Sequence, residues 1–419
     1  MRTVTSYDRL SDWVDNHLDE SIAFLREMVR IPTDTPPGDN ARHAEHAATL
    51  LGHMGFTVER HPVPIADVKA RGLTSLTNLI VRQRFGDGPV IALNVHGDVV
   101  PPGAGWTKPP YGGVIVDGRM YGRGVAVSKS DFATYAYAMR AVASLASQFG
   151  ERLHGTVELH ITYDEEFGGL LGPAWILARG LSKPDLALGA GFSYAVTTAH
   201  NGSLQLAVTV RGRAAHAAMP ETGVDALQAA VRILAAIYAQ SAEYAKIRSN
   251  VRGIGSPTVS VGRIEGGINT NVVPDEVVLK LDRRMIPEED PTVAEYALRG
   301  VIEAAALDSP GVVVEIRRLL LARALKPLPG HEVLVALLQE HARTYIGEDI
   351  PATGTPLYTD ARLYCESGVP TVLYGAGPRT ILEANAKRAD ENLELADLRR
   401  ATKVVACTLY DLLKRAAAN

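Results

Sequence analysis

A chain of 419 residues is too long for a single hydrophobic core and indicates two domains. Its hydrophobic fraction of 46% and its charged fraction of 21% are those of an ordinary globular protein. The formal net charge of −4 offers no electrostatic attraction to nucleic acid or to acidic lipid, so neither is expected as a partner.

The N-terminal sequence is amphipathic and acidic, and it lacks the basic segment followed by an apolar run that marks a signal peptide. No stretch of the chain approaches the ~18 consecutive apolar residues that a membrane helix requires. We therefore predict a cytoplasmic protein that does not enter a membrane.

Helical and strand-like segments alternate through the first half of the chain. Helical spacing of apolar residues covers 7–30, 40–54, 128–147 and 169–180, and short apolar runs typical of strands cover 76–83, 90–98 and 155–164. This alternation predicts an α/β domain with a parallel or mixed sheet.

The pattern changes near residue 200. Strand-like segments at 204–212, 257–267, 276–285 and 312–320 enclose helical segments at 224–240 and 291–306. The order β-α-β-β-α-β is that of a ferredoxin-like arrangement. Because the α/β pattern resumes afterwards, we predict an α/β domain formed by residues 1–198 and 313–419, interrupted by a domain of residues 199–312.

Two segments place reactive side chains at the ends of predicted strands, where α/β proteins bind their ligands. In NVHGDVV the strand ends at His96 and Asp98, and in TYDEEFGG it ends at Glu165 and Glu166. Taken alone, such a histidine is more simply explained as a structural residue satisfied by a nearby carboxylate.

The longer context changes that interpretation. The stretch NVHGDVVPPGAGWTKPPYGGVIVDGRMYGRG (94–124) and the segment DEEFGG resemble the active-site segments of the M20 family of metallopeptidases and amidohydrolases. The resemblance covers nearly the whole chain. It implies a catalytic α/β domain with a mixed sheet flanked by helices, and an inserted ferredoxin-like α+β dimerisation or lid domain. It also implies a homodimer or higher homo-oligomer formed through that domain.

The resemblance assigns roles to the residues at the strand ends. His96 and Glu166 correspond to metal ligands, and Asp98 to the carboxylate that orients the imidazole. Glu165 corresponds to the general base that takes a proton from the attacking water.

Five further residues have expected roles in substrate binding or catalysis. His216 corresponds to a histidine that reaches the active site of the partner subunit and stabilises the developing oxyanion. Asn271 matches a polar residue that contacts substrate, and Arg284 matches an arginine that binds a substrate carboxylate. Asp360 and Gly377 are expected to line the pocket.

Three positions depart from the family pattern. Val127 stands where an aspartate bridges two metal ions, Ala190 or Gly191 where an acidic ligand belongs, and Lys387 where the last histidine ligand belongs. Two divalent ions roughly 3.5–4 Å apart need an anion between them, which valine cannot supply. We therefore do not expect a dinuclear site, and we count Lys387 among the candidate substrate-binding residues.

Two alternatives remain for the cation. The preferred one is a single, weakly bound divalent transition metal (Mn, Co or Zn) held by His96 and Glu166 with help from Glu165, Asp98 or the substrate. The other is a metal-free site in which Lys387 pairs with Glu166.

These residues predict a hydrolase of a C–N bond in a small carboxylate-bearing molecule. The preferred specific reaction is hydrolytic deamination of an aromatic amino acid of the 5-nitroanthranilate type, because such a substrate could complete a deficient coordination shell. The alternative enzyme is a conventional M20 amidohydrolase, aminoacylase or dipeptidase. A ligand-binding pseudo-enzyme is the non-catalytic alternative, against which Glu165 and His216 argue.

Overall fold

A computed structural model of the chain describes residues 4–415, which divide into two compact units. Unit 1 contains the described residues through Thr198, Pro327–Thr353 and those from Thr359 onward. Unit 2 contains Ala199–Lys326 and Gly354–Tyr358. None of the helices within the described range is long and apolar enough to cross a membrane.

Unit 1 is built on an eight-stranded mixed sheet with the strand order β1-β2-β6-β3-β7-β14-β8-β13, numbered along the chain. Its strands are β1 (Val58–Pro62), β2 (Thr77–Arg84), β3 (Val90–His96), β6 (Thr156–Thr162), β7 (Leu186–Gly189), β8 (Val196–His200), β13 (Ala352–Thr355) and β14 (Thr371–Leu373). Strands β6, β3, β7 and β14 run parallel to one another. Their carboxyl ends therefore lie at one edge of the sheet.

Helices cover this sheet, and their apolar faces form one large core with the buried strands. They are α1 (Ser6–Asn16), α2 (Leu18–Arg30), α3 (Ala41–His53), α4 (Ile65–Ala70), α5 (Lys129–Phe149), α6 (Pro173–Ala178), α9 (Glu332–Tyr345), α10 (Ala361–Glu366) and α11 (Leu395–Arg415). Strand β3 is apolar along most of its length because helices bury both of its faces, as parallel sheets require.

A small antiparallel sheet brings the C-terminal part of unit 1 against the loop that precedes α5. It consists of β4 (Val114–Val116), β5 (Arg119–Tyr121) and β15 (Asn392–Glu394). Glu391, directly before β15, accepts hydrogen bonds from Arg123 Nη1 at 2.6 Å and from the backbone N–H groups of Gly124 and Ala126 at 3.0 and 3.2 Å. The Arg123 and Glu391 side chains are only 2% and 3% exposed, so this ion pair is buried.

Unit 2 has the predicted ferredoxin-like order. Its elements are β9 (Gly202–Arg211), α7 (Ala226–Tyr244), β10 (Thr258–Gly266), β11 (Glu276–Met285), α8 (Pro291–Leu307) and β12 (Val313–Ala322). The four strands are antiparallel in the order β10-β11-β9-β12, and the two helices pack on the apolar residues of the sheet. The prediction of an α/β domain with an inserted ferredoxin-like domain is confirmed.

The second boundary of the inserted domain differs from the predicted one at 312/313. Strand β12 pairs with β9 from Val313 opposite Arg211 to Ala322 opposite Ser203. A domain that ended at residue 312 would lose its fourth strand, and unit 2 accordingly extends to Lys326. The short segment Gly354–Tyr358 also belongs to unit 2, which no pattern in the sequence predicted.

His43 on α3 makes the stability of the fold depend on pH. Its buried ring bonds the carbonyl oxygen of Met28 through Nε2 and the hydroxyl of Tyr163 through Nδ1, each at 2.9 Å. Burial lowers the pKa of His43 well below its usual value of 6.5. The unfolded chain therefore binds a proton below pH 6.5 that the folded chain does not, and stability falls as the pH decreases.

We predict that the variant His43→Gln loses this contribution. Between pH 7.5 and 5.5 the wild-type free energy of unfolding should fall by about 1 kcal/mol more than that of the variant. Urea unfolding at the two pH values measures this difference. His53→Gln, at an exposed position of the same helix, should keep the wild-type dependence. Equal pH dependence in wild type and His43→Gln would refute the assignment.

A second prediction concerns the buried ion pair. Glu391→Gln leaves the Arg123 guanidinium buried without a counter-charge, which should lower the free energy of unfolding by about 3 kcal/mol. The control Glu348→Gln removes an exposed ion pair with Arg379 and should change the free energy of unfolding by less than about 1 kcal/mol. Equal losses in the two variants, measured by urea unfolding, would show that the buried pair does not hold the loop.

Candidate functional site

The candidate site lies at the carboxyl ends of β3 and β6. His96 is the last residue of β3 and pairs in register with Thr162, the last residue of β6. The chain then turns through Gly97, where a Cβ atom would collide with the ring of Tyr163. Only glycine permits this close approach, which brings the segments that follow the two strands together.

Asp98 organises these two segments. Its buried carboxylate accepts hydrogen bonds from the backbone N–H groups of Glu165 through Oδ1 at 3.3 Å and of Glu166 through Oδ2 at 2.9 Å. The Nδ1 atom of His96 lies 3.0 Å from the Asp98 carbonyl oxygen and 3.4 Å from Oδ1. Because Nδ1 is engaged in this way, Nε2 is the ring nitrogen that can serve a ligand.

The electrostatics of the site follow from burial and from the number of carboxylates. Glu165 is only 8% exposed, and its burial raises the pKa of the carboxyl group to about 7. The charge of Glu166 adds to this increase, and that of His96 opposes it. Burial alone would lower the pKa of His96, but Glu165, Asp98 and Glu166 outweigh it and raise the pKa to about 10. A carboxylate that titrates near neutrality is suited to accept a proton during catalysis.

Lys387 forms an ion pair with Glu166. Its Nζ atom lies 2.7 Å from Glu166 Oε2. The Glu166 side chain is 10% exposed, whereas that of Lys387 is 63% exposed. Burial opposes the charge of Lys387, but Glu166 and Glu165 outweigh it and raise the pKa of the lysine, so that the side chain is an ammonium ion. The structure thus contains the pair that the metal-free alternative requires.

The other two positions that differ from the family pattern are Val127 and the position at Ala190 or Gly191. Val127 is half-buried and brings no anion to the site. At Gly191 an added Cβ atom would lie 2.7 Å from the backbone nitrogen of Tyr374, so the backbone leaves no room for a carboxylate side chain there. Ala190 is half-buried beside it.

These observations decide how well the residues fit a metal. Across residues 4–415, no group of three or more histidine, cysteine, aspartate or glutamate side chains is arranged to hold an ion. Of the expected ligands His96 and Glu166 remain, and the ammonium group of Lys387 already binds Glu166. The donor set does not fit a pair of metal ions, and a single ion would have to displace Lys387 from Glu166.

Two expected pocket residues lie in unit 1. Asp360 is buried at the start of α10, and burial, with the charge of Glu165 adding, raises its pKa well above the usual range. Gly377 is buried and donates its N–H to the carbonyl oxygen of Gly191 at 2.9 Å. Gly377 thus contributes its backbone at the ends of the strands.

Asp131, in the first turn of α5, is a buried acid near the strand ends that no sequence motif indicated. The residue is buried, and its Oδ1 atom accepts a hydrogen bond from the backbone N–H of Ala376 at 2.7 Å. Burial raises the pKa of Asp131 to about 7, while the N–H groups of Ala376 and Gly191 and the charge of His96 oppose the shift. The sequence did contain one signal for this residue. Asp131 is an acid four residues after Val127, in the first turn of a helix whose start is otherwise buried.

Lys129 is a second buried ionisable residue of this turn. Its Nζ atom donates to the carbonyl oxygen of Ile31 at 3.3 Å. Burial lowers the pKa of Lys129 to about 7, although Asp34, Glu391 and Asp98 oppose the shift. Its contact with a backbone carbonyl is that of a structural residue.

The remaining candidates lie in unit 2. His216 is exposed, and its Nδ1 atom accepts from the N–H of Ala218 at 3.1 Å, so a neutral ring carries its proton on Nε2. The carbonyl oxygen of Asn271 accepts from the N–H of Ala217 at 3.0 Å, which places Asn271 beside His216. Asn271 precedes the start of β11, whereas Arg284 lies near its C-terminal end. The Nε atom of Arg284 is 2.7 Å from Asp282 Oδ1.

Comparisons with known proteins agree with this arrangement. The family model described as peptidase family M20/M25/M40 matches residues 92–411. A succinyl-diaminopimelate desuccinylase of Methylorubrum populi is 27% identical over 394 residues, which cover 91% of this chain and 96% of that protein. A second one, from Methylobacterium nodulans, is 28% identical over 400 residues, covering 91% and 93%.

Solved structures show the same fold. A di-peptidase from Saccharomyces cerevisiae matches with a TM-score of 0.79 at 15% sequence identity, covering 97% of this chain and 98% of that one. The strand-end histidine, the adjacent carboxylates and the inserted domain all agree with the family match. The chain therefore belongs to peptidase family M20/M25/M40, a family of metal-dependent hydrolases that act on C–N bonds.

Proposed function

We propose that the protein hydrolyses the amide bond of a small N-acyl compound that carries a carboxylate. The observation that carries this proposal is the position of Glu165, buried at the ends of two parallel strands and fixed through its backbone by Asp98. Succinyl-diaminopimelate desuccinylases, similar over nine-tenths of the chain, support an N-acyl amino acid as the class of substrate.

Glu165 acts as the general base. It takes a proton from water while the water oxygen attacks the amide carbonyl, and it returns this proton to the departing nitrogen as the C–N bond breaks. His96, held through Nδ1 by Asp98, donates from Nε2 to the carbonyl oxygen as negative charge develops there. The products are a carboxylate and an amine.

The expected single transition metal is not needed for these steps. A divalent ion supplies Lewis acidity in this family, but here His96 and Glu166 would need help from Glu165, Asp98 or the substrate to hold it, and Lys387 binds Glu166. We therefore derive no step through a metal ion. The preference for deamination of an aromatic amino acid rested on a substrate that completes a metal shell, so the amidohydrolase alternative is now favoured.

We further propose that two copies of the chain share each active site. The part of β11 from Glu276 to Arg284 spans roughly 27 Å at the rise of an extended strand, and Asn271 lies beyond its start, where its carbonyl oxygen bonds Ala217. A small substrate cannot contact both residues of one subunit. His216 and Asn271 therefore serve a different active site from Arg284, and the resemblance implies that His216 acts in the site of another copy.

The base is tested by Glu165→Gln. With N-succinyl and N-acetyl amino acids as substrates, kcat/KM should fall by a factor of about 10³, because glutamine cannot accept the proton. Glu340→Gln, at an exposed position of α9, should retain wild-type kinetics. The assay measures release of the amine product. A parallel assay offers aminobenzoates as substrates and measures release of ammonia. Undiminished hydrolysis by Glu165→Gln would refute the mechanism, and turnover of aminobenzoates alone would restore the deaminase.

The shared site is tested by complementation. Glu165→Gln and His216→Ala should each be inactive, whereas a mixture that has exchanged subunits should recover about a quarter of wild-type activity, because half of the dimers carry one intact site. Re-mixing after mild dissociation, followed by the same assay, measures the recovery. No recovery in a mixture shown to contain heterodimers would place His216 in the site of its own subunit.

A further inference from the structure

We propose that the ammonium of Lys387 occupies the cation position of this site and keeps divalent metal ions from Glu166. The inference goes beyond the proposed reaction, because it concerns what neutralises the carboxylates and not which bond is broken. It predicts an M20 hydrolase whose resident cation is a side chain.

The first support is the contact itself. An N–O distance of 2.7 Å between Lys387 Nζ and Glu166 Oε2 is that of a charge-assisted hydrogen bond. The carboxylate is mostly buried, so it requires a positive charge nearby. Lys387 supplies this charge from within the chain, with no ion taken from solution.

The second support is the way in which the backbone holds Lys387. The residue has a left-handed conformation with φ +61°, in a turn where the N–H of Arg388 bonds the carbonyl oxygen of Asn385 at 2.8 Å. Its own N–H donates to Glu391 Oε2 at 3.4 Å. The turn therefore fixes the point from which the lysine side chain extends.

The third support is that one buried carboxylate connects two of the altered positions. Glu391 accepts from the N–H of Lys387 and also from the N–H of Ala126, the residue before Val127. The segment that lacks the bridging anion and the segment that brings the ammonium are thus held by the same group. The position that lacks the anion, Val127, and the position that carries the cation, Lys387, therefore lie on two segments joined through Glu391.

Charge completes the argument. Relative to the family pattern, Val127 and the residue at the second altered position, Ala190 or Gly191, remove two negative charges, and Lys387 adds one positive charge. A divalent ion on Glu166 would have to lie within a few ångströms of the ammonium, and the two like charges would repel each other in a poorly hydrated pocket. The ion can bind only after Lys387 has left.

The test measures metal binding directly and does not depend on a substrate. Equilibrium dialysis of the intact wild-type chain against low-micromolar Zn²⁺, Mn²⁺ or Co²⁺, followed by elemental analysis, should find no stoichiometric ion. Lys387→Met removes the ammonium and frees Glu166, so the affinity for these ions should rise by about tenfold or more. The double variant Val127→Asp/Lys387→His, which restores a bridging carboxylate and a histidine, should bind more tightly still.

Lys246→Met is the matched control, since it removes an exposed lysine that lies 2.6 Å from a glutamate. It should leave metal binding unchanged, and near-ultraviolet circular dichroism checks that each variant is folded. Stoichiometric uptake of an ion by the wild type would overturn the inference, and so would equal affinities in wild type and folded Lys387→Met. The wild-type measurement decides the question even if a variant fails to fold, and its outcome is separate from that of the Glu165→Gln assay.

Discussion

The contact between the Lys387 ammonium and Glu166 sets the charge balance on which the site depends. Glu165, Glu166 and Asp98 surround His96 at the ends of two strands, and so many acids in a partly buried place need positive charge nearby. Relatives of this fold meet the need with metal ions. In this chain a lysine extends from a turn fixed by Glu391, so a covalently attached charge fulfils the electrostatic requirement.

The catalytic geometry has a separate origin. The Asp98 carboxylate accepts from two consecutive backbone N–H groups and lies beside the imidazole of His96, so one buried side chain positions both Glu165 and His96. None of these contacts requires an ion. The position of Glu165 therefore does not depend on a carboxylate at Val127 or at Ala190 or Gly191. Within unit 2, His216 and Asn271 lie beyond the start of β11, and Arg284 lies near its C-terminal end.

Much of this could be predicted from the sequence. Alternating strands and helices predicted the α/β domain, the β-α-β-β-α-β order predicted the inserted one, and the strand-end motifs identified the residues around His96. The limit at 312/313 was wrong because it cuts off the strand that completes the β-α-β-β-α-β order, which pairs with β9 in unit 2. Asp131 was missed because an acid in the first turn of a helix usually faces solvent. The choice between a metal and Lys387 at Glu166 depended on a distance between segments more than 200 residues apart, which sequence spacing does not contain.

The central claim is that a lysine takes the place of a metal ion in an M20 hydrolase. Crystals of the wild-type protein grown with excess Zn²⁺ and measured at the zinc absorption edge test it most directly. We expect Lys387 Nζ to remain hydrogen-bonded to Glu166, with no anomalous peak between Glu166 and His96. One or two strong peaks bonded to these side chains, with Lys387 turned away, would contradict the account.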